Sequence, residues 1–179
     1  MPKYVAFLRA INVGGHVVKM DRLRTLFEGL GLTYVETFIA SGNVIFDAST
    51  KNTKSLERKI EKHLQDELGY PVVTFVRAIT DLPGIIDYKP FDKSELEAEG
   101  NVLYVGFLAE SPGDAAIKVL RLCATEVDLF QVSGREVYWL LRTKFSDSQF
   151  SGARLEKTLG MPVTLRNLNT IKRIAAKYL

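Results

Sequence analysis

A chain of 179 residues with 46% hydrophobic, 25% charged and 10% aromatic content has apolar material for one substantial core or two small ones. No apolar run reaches membrane-spanning length, and a formal charge of +3 with a pI near 8.9 falls short of what phosphate neutralisation alone needs to hold nucleic acid. A single cysteine, Cys123, excludes an internal disulfide, and His16 and His63 alone make no zinc-type ligand set, so neither a metal nor a cofactor is expected.

Met1-Pro2-Lys3 leads straight into strand-like residues without a basic and then apolar leader, and a cytoplasmic protein is the expectation. Residues 3 to 9 (KYVAFLR) form a short apolar, β-favouring run. After a loop that holds Gly14 and Gly15, Leu23, Leu26, Phe27 and Leu30 recur at i, i+3, i+4 and i+7; this predicts a helix with Asp21 as N-cap and Gly31 as stop. TYVETFIA and NVIFDA follow as two β-branched and aromatic runs divided by Ser41-Gly42, a pair suited to a tight hairpin. Leu56, Ile60, Leu64 and Leu68 share one helical stripe ending at Gly69, and Pro71 to Arg77 supplies another strand. The order is βαββαβ.

The second half repeats it. Tyr4-Val5-Ala6-Phe7-Leu8 returns as Tyr104-Val105-Gly106-Phe107-Leu108, Ser41-Gly42 as Ser133-Gly134, and Leu68-Gly69-Tyr70-Pro71-Val72 as Leu159-Gly160-Met161-Pro162-Val163. Between the copies, residues 80 to 100 carry Pro83, Gly84, Pro90 and the acidic run DKSELEAE, and read as a connector with one short helix. Ile171, Ile174, Ala175 and Tyr178 mark an amphipathic C-terminal helix with Asn169 or Thr170 as its cap. The expected fold is therefore α+β. A first ferredoxin-like βαββαβ subdomain takes residues 1–79, the connector 80–100, and a second ferredoxin-like subdomain with the C-terminal helix 101–179.

Strands such as VAFL, VVTFV and VYWLL are apolar at nearly every position, which predicts burial of both sheet faces, against each other, the connector or a partner subunit. RNA-recognition modules share the βαββαβ order but need an exposed aromatic platform and a basic-Gly-aromatic signature on the third strand. Asn43-Val44-Ile45-Phe46-Asp47 lacks that signature. Sequence-specific nucleic-acid binding is disfavoured, and Phe7, Phe46, Phe75, Tyr104, Phe107, Tyr138 and Trp139 are assigned to the core.

In a βαββαβ unit the first two strands run the same way, so the loop after the first and the hairpin after the second emerge at one end of the sheet. Arg9, Asn12, Gly14, Gly15, His16 and Lys19 then share a rim with Ser41, Gly42 and Asn43, joined by the Gly69-Tyr70-Pro71 loop. Amides of a glycine pair, a helix N-terminus and fixed cations are the components of an anion site. The corresponding end of the second copy, AESPGD, VSGR and LGMP, carries less positive charge and more acid. The first copy is thus the candidate for a small anionic ligand, phosphate- or nucleotide-like.

The spacing fits neither G-x-x-x-x-G-K-[ST] nor G-x-G-x-x-G, and a double glycine is more often a turn that needs positive φ. Arg166 and Asn167, at the end of the last strand, are secondary candidates should the two halves bring them to that rim; for Asn167, as for Asn169 and Thr170, capping and strand-end hydrogen bonding are the plainer role. His16 with Ser41 would make a base and a nucleophile, yet no acid is placed to orient the histidine. Cys123 reads as a core thiol, and no catalytic constellation is recognisable.

Three separated blocks, LRAINVGGHVVKM, FIASGNVIF and VTLRNLNT, resemble in order and spacing the bacterial domain-of-unknown-function 1697 family. Its members commonly read LRGINVGG, then KM, YIQSGNVVF and a terminal TxRNWxT. The resemblance covers essentially the whole chain and implies a duplicated ferredoxin-like α+β fold; no biochemical activity comes with it. The chain departs from that pattern at Ala10 for Gly, Ala40 for Gln and Leu168 for Trp, the first two beside the glycine loop and the hairpin.

Three readings of function follow. The first is a module that binds a small anionic ligand at the glycine-loop rim, and the second an interaction or homo-oligomerisation module without a ligand. The third is an enzyme acting on an anionic substrate through Arg9, Lys19 and His16. No membrane partner is expected.

Overall fold

Two four-stranded antiparallel sheets make up the computed structural model, which describes residues 1–39 and 42–179. The chain divides into one unit of Met1–Leu82 with Ile174–Leu179 and a second of Pro83–Arg173. Each is an α+β arrangement.

The first unit runs β1 (Lys3–Leu8), α1 (Met20–Glu28), β2 (Thr33–Thr37), β3 (Asn43–Asp47), α2 (Thr53–Leu68) and β4 (Thr74–Ala78), with sheet order β2-β3-β1-β4. In the antiparallel registers, Val5 of β1 stands opposite Ile45 on one side and Arg77 on the other. Tyr4, Ala6 and Leu8 pack into one core with Leu23, Leu26 and Phe27 of α1 and Leu56, Ile60 and Leu64 of α2. The alternate residues Val5 and Phe7 are also fully buried. Both faces of β1 are therefore removed from water, which is why its sequence lacks a polar alternation.

The apolar stripes locate the helices, but their ends differ from expectation. Lys19, in extended conformation, is the N-cap of α1, and Asp21 lies inside the first turn, where its charge complements the helix dipole without capping an N–H. The helix closes at Gly29; Gly31, at φ +79°, lies beyond it in the turn toward β2. α2 is capped by Asn52, whose side-chain oxygen accepts from Ser55 N at 3.0 Å, and ends at Gly69 with φ +82°.

The edge strand β4 is covered by carboxylates of α2. Thr74 N donates to Glu61 Oε1 at 2.9 Å and Val76 N to Glu57 Oε1 at 2.8 Å. The match is geometric: four helical residues rise ~6 Å and two strand residues ~6.6 Å. Glu57 is itself buried beside Arg77, whose Nη1 stands 3.7 Å from Glu57 Oε1.

The region between the two sheets forms two short helices, α3 (Leu82–Asp87) and α4 (Lys93–Glu97), where the sequence suggested one. The second unit then continues with β5 (Val102–Phe107), α5 (Asp114–Leu122), β6 (Asp128–Ser133), β7 (Glu136–Leu141), α6 (Gly152–Leu159) and β8 (Thr164–Asn167). Its sheet order, β6-β7-β5-β8, has the same plan as the first. Leu120, Leu155 and Leu159 of its helices pack with Val137, Trp139 and Leu141 of β7. On the opposite face Tyr138 is buried by the segment that includes α3: its hydroxyl donates to Ile85 O at 2.8 Å and its ring centroid lies 4.9 Å from that of Tyr88.

The C-terminal helix, α7 (Leu168–Tyr178), starts directly after β8. Asn167 Oδ1 accepts from Asn169 N at 2.9 Å, so Asn167 takes the capping place expected of Asn169 or Thr170. From Ile174 onward the helix belongs to the first unit, where Lys177 Nζ and the Tyr178 hydroxyl donate to Glu36 Oε2 on edge strand β2 at 3.0 and 2.6 Å. Among the described residues, no helix is long and apolar enough to cross a membrane.

Candidate functional site

β1 delivers the chain into residues 9 to 19 at the end of the sheet where β2 turns into β3. Leu8 N donates to Gly42 O and Arg9 N to Val73 O, each at 2.9 Å. Gly42 has φ +80°, and a Cβ there would stand 3.0 Å from Ile11 Cγ2 and 3.2 Å from Leu8 Cβ. Hairpin and loop approach this closely because residue 42 has no side chain. From the third side, the Tyr70 hydroxyl donates to Ile11 O at 3.0 Å and its ring stacks on His16, centroids 3.7 Å apart. The glycine loop, the hairpin and the Gly69-Tyr70-Pro71 turn form one rim.

Asn12 Oδ1 accepts from Val18 N at 2.7 Å, which closes the loop on itself. At its tip Gly14 and Gly15 have φ +67° and +83°, and a Cβ on either would meet nothing within 4 Å. His16 and Lys19 are exposed beside them, and Arg9 is half-buried. Lys19, the N-cap residue of α1, makes no side-chain cap hydrogen bond, so among the described residues no side chain caps the first-turn N–H groups.

Asn43 is fully buried, with its Nδ2 donating to Phe38 O at 3.0 Å while Phe38 N donates to Asn43 O. It closes the hairpin from inside. Ser41, the remaining rim candidate, lies outside the described residues together with Ala40. In the second unit, Arg166 Nη1 donates to Thr164 Oγ1 at 2.8 Å and to Leu165 O at 2.9 Å, and burial pushes its guanidinium down to about 10. Asn167 caps α7.

The cleft between the loop and the hairpin, walled by Ile11, Asn12, Val18 and Ile39, has a volume of about 10 Å³, room for about one water. The surface around this cleft is the rim. That surface is not purely cationic: Val13 and Val17, on either side of the Gly-Gly-His tip, are 61% and 82% exposed. The His16 imidazole has no carboxylate bonded to it among the described residues, and no three His, Cys, Asp or Glu side chains there are placed to hold a metal ion. Cys123 is the C-cap of α5 and half-buried against the second core.

A larger cavity, of about 600 Å³, lies in the second unit between α3, α4, β5 and the start of α7. Sequence reasoning missed it. Its walls come from helices of six and five residues, too short to show a period, and from residues distant in sequence such as Leu103 and Leu168. The available signal was Ile86, Tyr88, Phe91 and Leu96 scattered through a stretch otherwise read as a polar linker.

Residues 1–138 match the family described as "Protein of unknown function (DUF1697)". The chain is similar in fold to a solved structure, the conserved bacterial protein SP0830 from Streptococcus pneumoniae. The TM-score is 0.72 at 22% sequence identity, covering 99% of this chain and 98% of the other. No curated protein matches the chain.

Proposed function

We propose that this chain, which belongs to the DUF1697 family, is a binding module whose first unit docks an anionic group on the rim around Gly14, Gly15, His16 and Lys19. The observation that carries this is the first turn of α1, which no side chain caps among the described residues, preceded by Lys19 and by an open glycine pair with positive φ. Free N–H groups, the positive end of a helix dipole and a nearby ammonium favour the same ligand charge. The cleft of about 10 Å³ limits what is engulfed. The recognised group is a single phosphate or carboxylate resting on the surface, and its binding weakens with salt.

The test is thermal melting at low salt with inorganic phosphate, pyrophosphate and ATP, for the wild type and for Lys19→Glu. A rise in Tm with at least one compound, absent in the variant, is expected. No rise with any of them removes the proposal.

The exposed side chains of Val13 and Val17 favour a second reading, in which the anionic group belongs to a second copy of the chain and the valines contact it. Sedimentation that depends on concentration in the wild type and not in Val17→Asp supports it. A monomer at all concentrations contradicts it.

A further inference from the structure

The cavity of the second unit combines three properties that a small-molecule site needs. Its volume, about 600 Å³, falls in the range of ligand pockets. Its walls are mostly apolar, from Ile86, Phe91, Leu96, Leu103 and Leu168, with Tyr88 adding a further aromatic ring. Its border carries ammonium groups from Lys89, Lys93 and Lys172.

The charges are not equivalent. Lys93 Nζ lies 3.8 Å from Glu97 Oε1, one helical turn away, and is partly neutralised by it. Lys89 and Lys172 have no carboxylate within ion-pair distance among the described residues; they come from the loop after α3 and from α7, two elements that border the same space. Of the cavity's acids, Asp87 alone remains to offset them. The resulting field is positive at the border of an apolar chamber.

The walls are also held in place without an occupant. Tyr138 on β7 bonds Ile85 O and packs on Tyr88, which fixes α3 to the sheet. Arg142, next after β7, pairs with both carboxylate oxygens of Glu95 of α4 through Nη2 and Nε, the latter to Oε2 at 3.0 Å, and Asn101 Nδ2 donates to Glu95 O at 2.8 Å. Both short helices are therefore tied to β7 or to the residue that follows it, so a ligand need not order them on entry.

We infer that this cavity binds a small amphiphilic anion, a partly aromatic apolar body ending in a carboxylate or comparable acid that reaches Lys89 and Lys172. The body takes its affinity from burial against the walls, and the acid sets orientation at the border. The site is built from the second unit alone and stands or falls separately from the glycine-loop rim.

The test is calorimetric titration of the full chain with 2-naphthoate and with the uncharged 2-naphthamide. Saturable one-to-one binding of 2-naphthoate is expected, with the amide weaker. The variant pair Lys89→Glu with Lys172→Glu should weaken naphthoate by at least about fivefold, the size an exposed ion pair accounts for, and leave the amide unchanged. Leu96→Trp, on a short surface helix, should fill the chamber and abolish binding of both while the circular dichroism spectrum stays native. Absence of saturable binding overturns the proposal, as does naphthoate binding that survives Leu96→Trp in a native-like spectrum. Equal affinity for acid and amide with no response to the lysine reversals overturns the assignment of an anion.

Discussion

The imidazole of His16 lies on the phenol ring of Tyr70, with centroids 3.7 Å apart and planes 19° from parallel, while the Tyr70 hydroxyl bonds Ile11 O. One side chain thus holds both the tip and the start of the glycine loop. Tyr70→Phe keeps the stack and loses one hydrogen bond, a cost of about 1 kcal/mol, whereas Tyr70→Ala loses both. The Val18 amide, which donates to Asn12 Oδ1 inside the loop, reports the difference. Its hydrogen exchange should quicken markedly in Tyr70→Ala and slightly in Tyr70→Phe.

Two glycines of the rim with similar φ should respond differently to alanine. Gly14→Ala meets open space and incurs only the left-handed conformation, about 1 kcal/mol. Gly42→Ala adds a methyl group 3.0 Å from Ile11 and 3.2 Å from Leu8, and should cost ~2–4 kcal/mol. Urea unfolding of the two variants measures the gap; equal costs would show that the close approach at Gly42 has no energetic weight.

Glu57 serves an edge-strand amide and a buried guanidinium together. Glu57→Ala removes the acceptor of Val76 N and the buried carboxylate beside Arg77, with an expected loss of about 3–5 kcal/mol. Glu61→Ala, at a half-buried residue whose place water can take, frees only the Thr74 amide, about 1 kcal/mol. Far-ultraviolet circular dichroism is the readout, because the single tryptophan, Trp139, lies in the second unit.

The Tyr178 hydroxyl, and after it the Lys177 ammonium, hold the Glu36 carboxyl below the usual carboxylate range. A carboxyl with a depressed folded pKa adds stability above its unfolded pKa and loses it as pH falls through the folded value. The stability difference between wild type and Glu36→Gln should therefore be steady near neutrality and shrink below about pH 4. Urea midpoints over that range check the sign; a difference that grows on acidification contradicts it.

The architecture was largely legible because it is written in long-range repetition and in periods. The Leu56, Ile60, Leu64 stripe became the buried face of α2, and the unbroken apolar run around Val5 and Phe7 became a strand buried on both sides. Cap residues were less legible, since Asp21 and Lys19 differ by local conformation and not by pattern. The strand pairing also refines the repeat: Phe7 stands opposite Asn43 and Phe107 opposite Glu136, so Gly42 corresponds to Arg135 and the two Ser-Gly pairs are one residue out of step. Within the rim, the nearness of loop, hairpin and Tyr70 followed from topology alone. That Asn43 turns inward, and that the cleft is so small, depends on side-chain packing that spacing does not encode.

The most direct measurement is an amide nitrogen–proton NMR titration with pyrophosphate at low salt, run on the wild type and on Lys19→Ala. Saturable shifts confined to Gly14, Gly15, His16 and the first-turn amides Met20, Asp21 and Arg22, and much reduced in Lys19→Ala, are the predicted result. Shifts absent from these amides, or unchanged in the variant, would contradict an anion site on the glycine-loop rim.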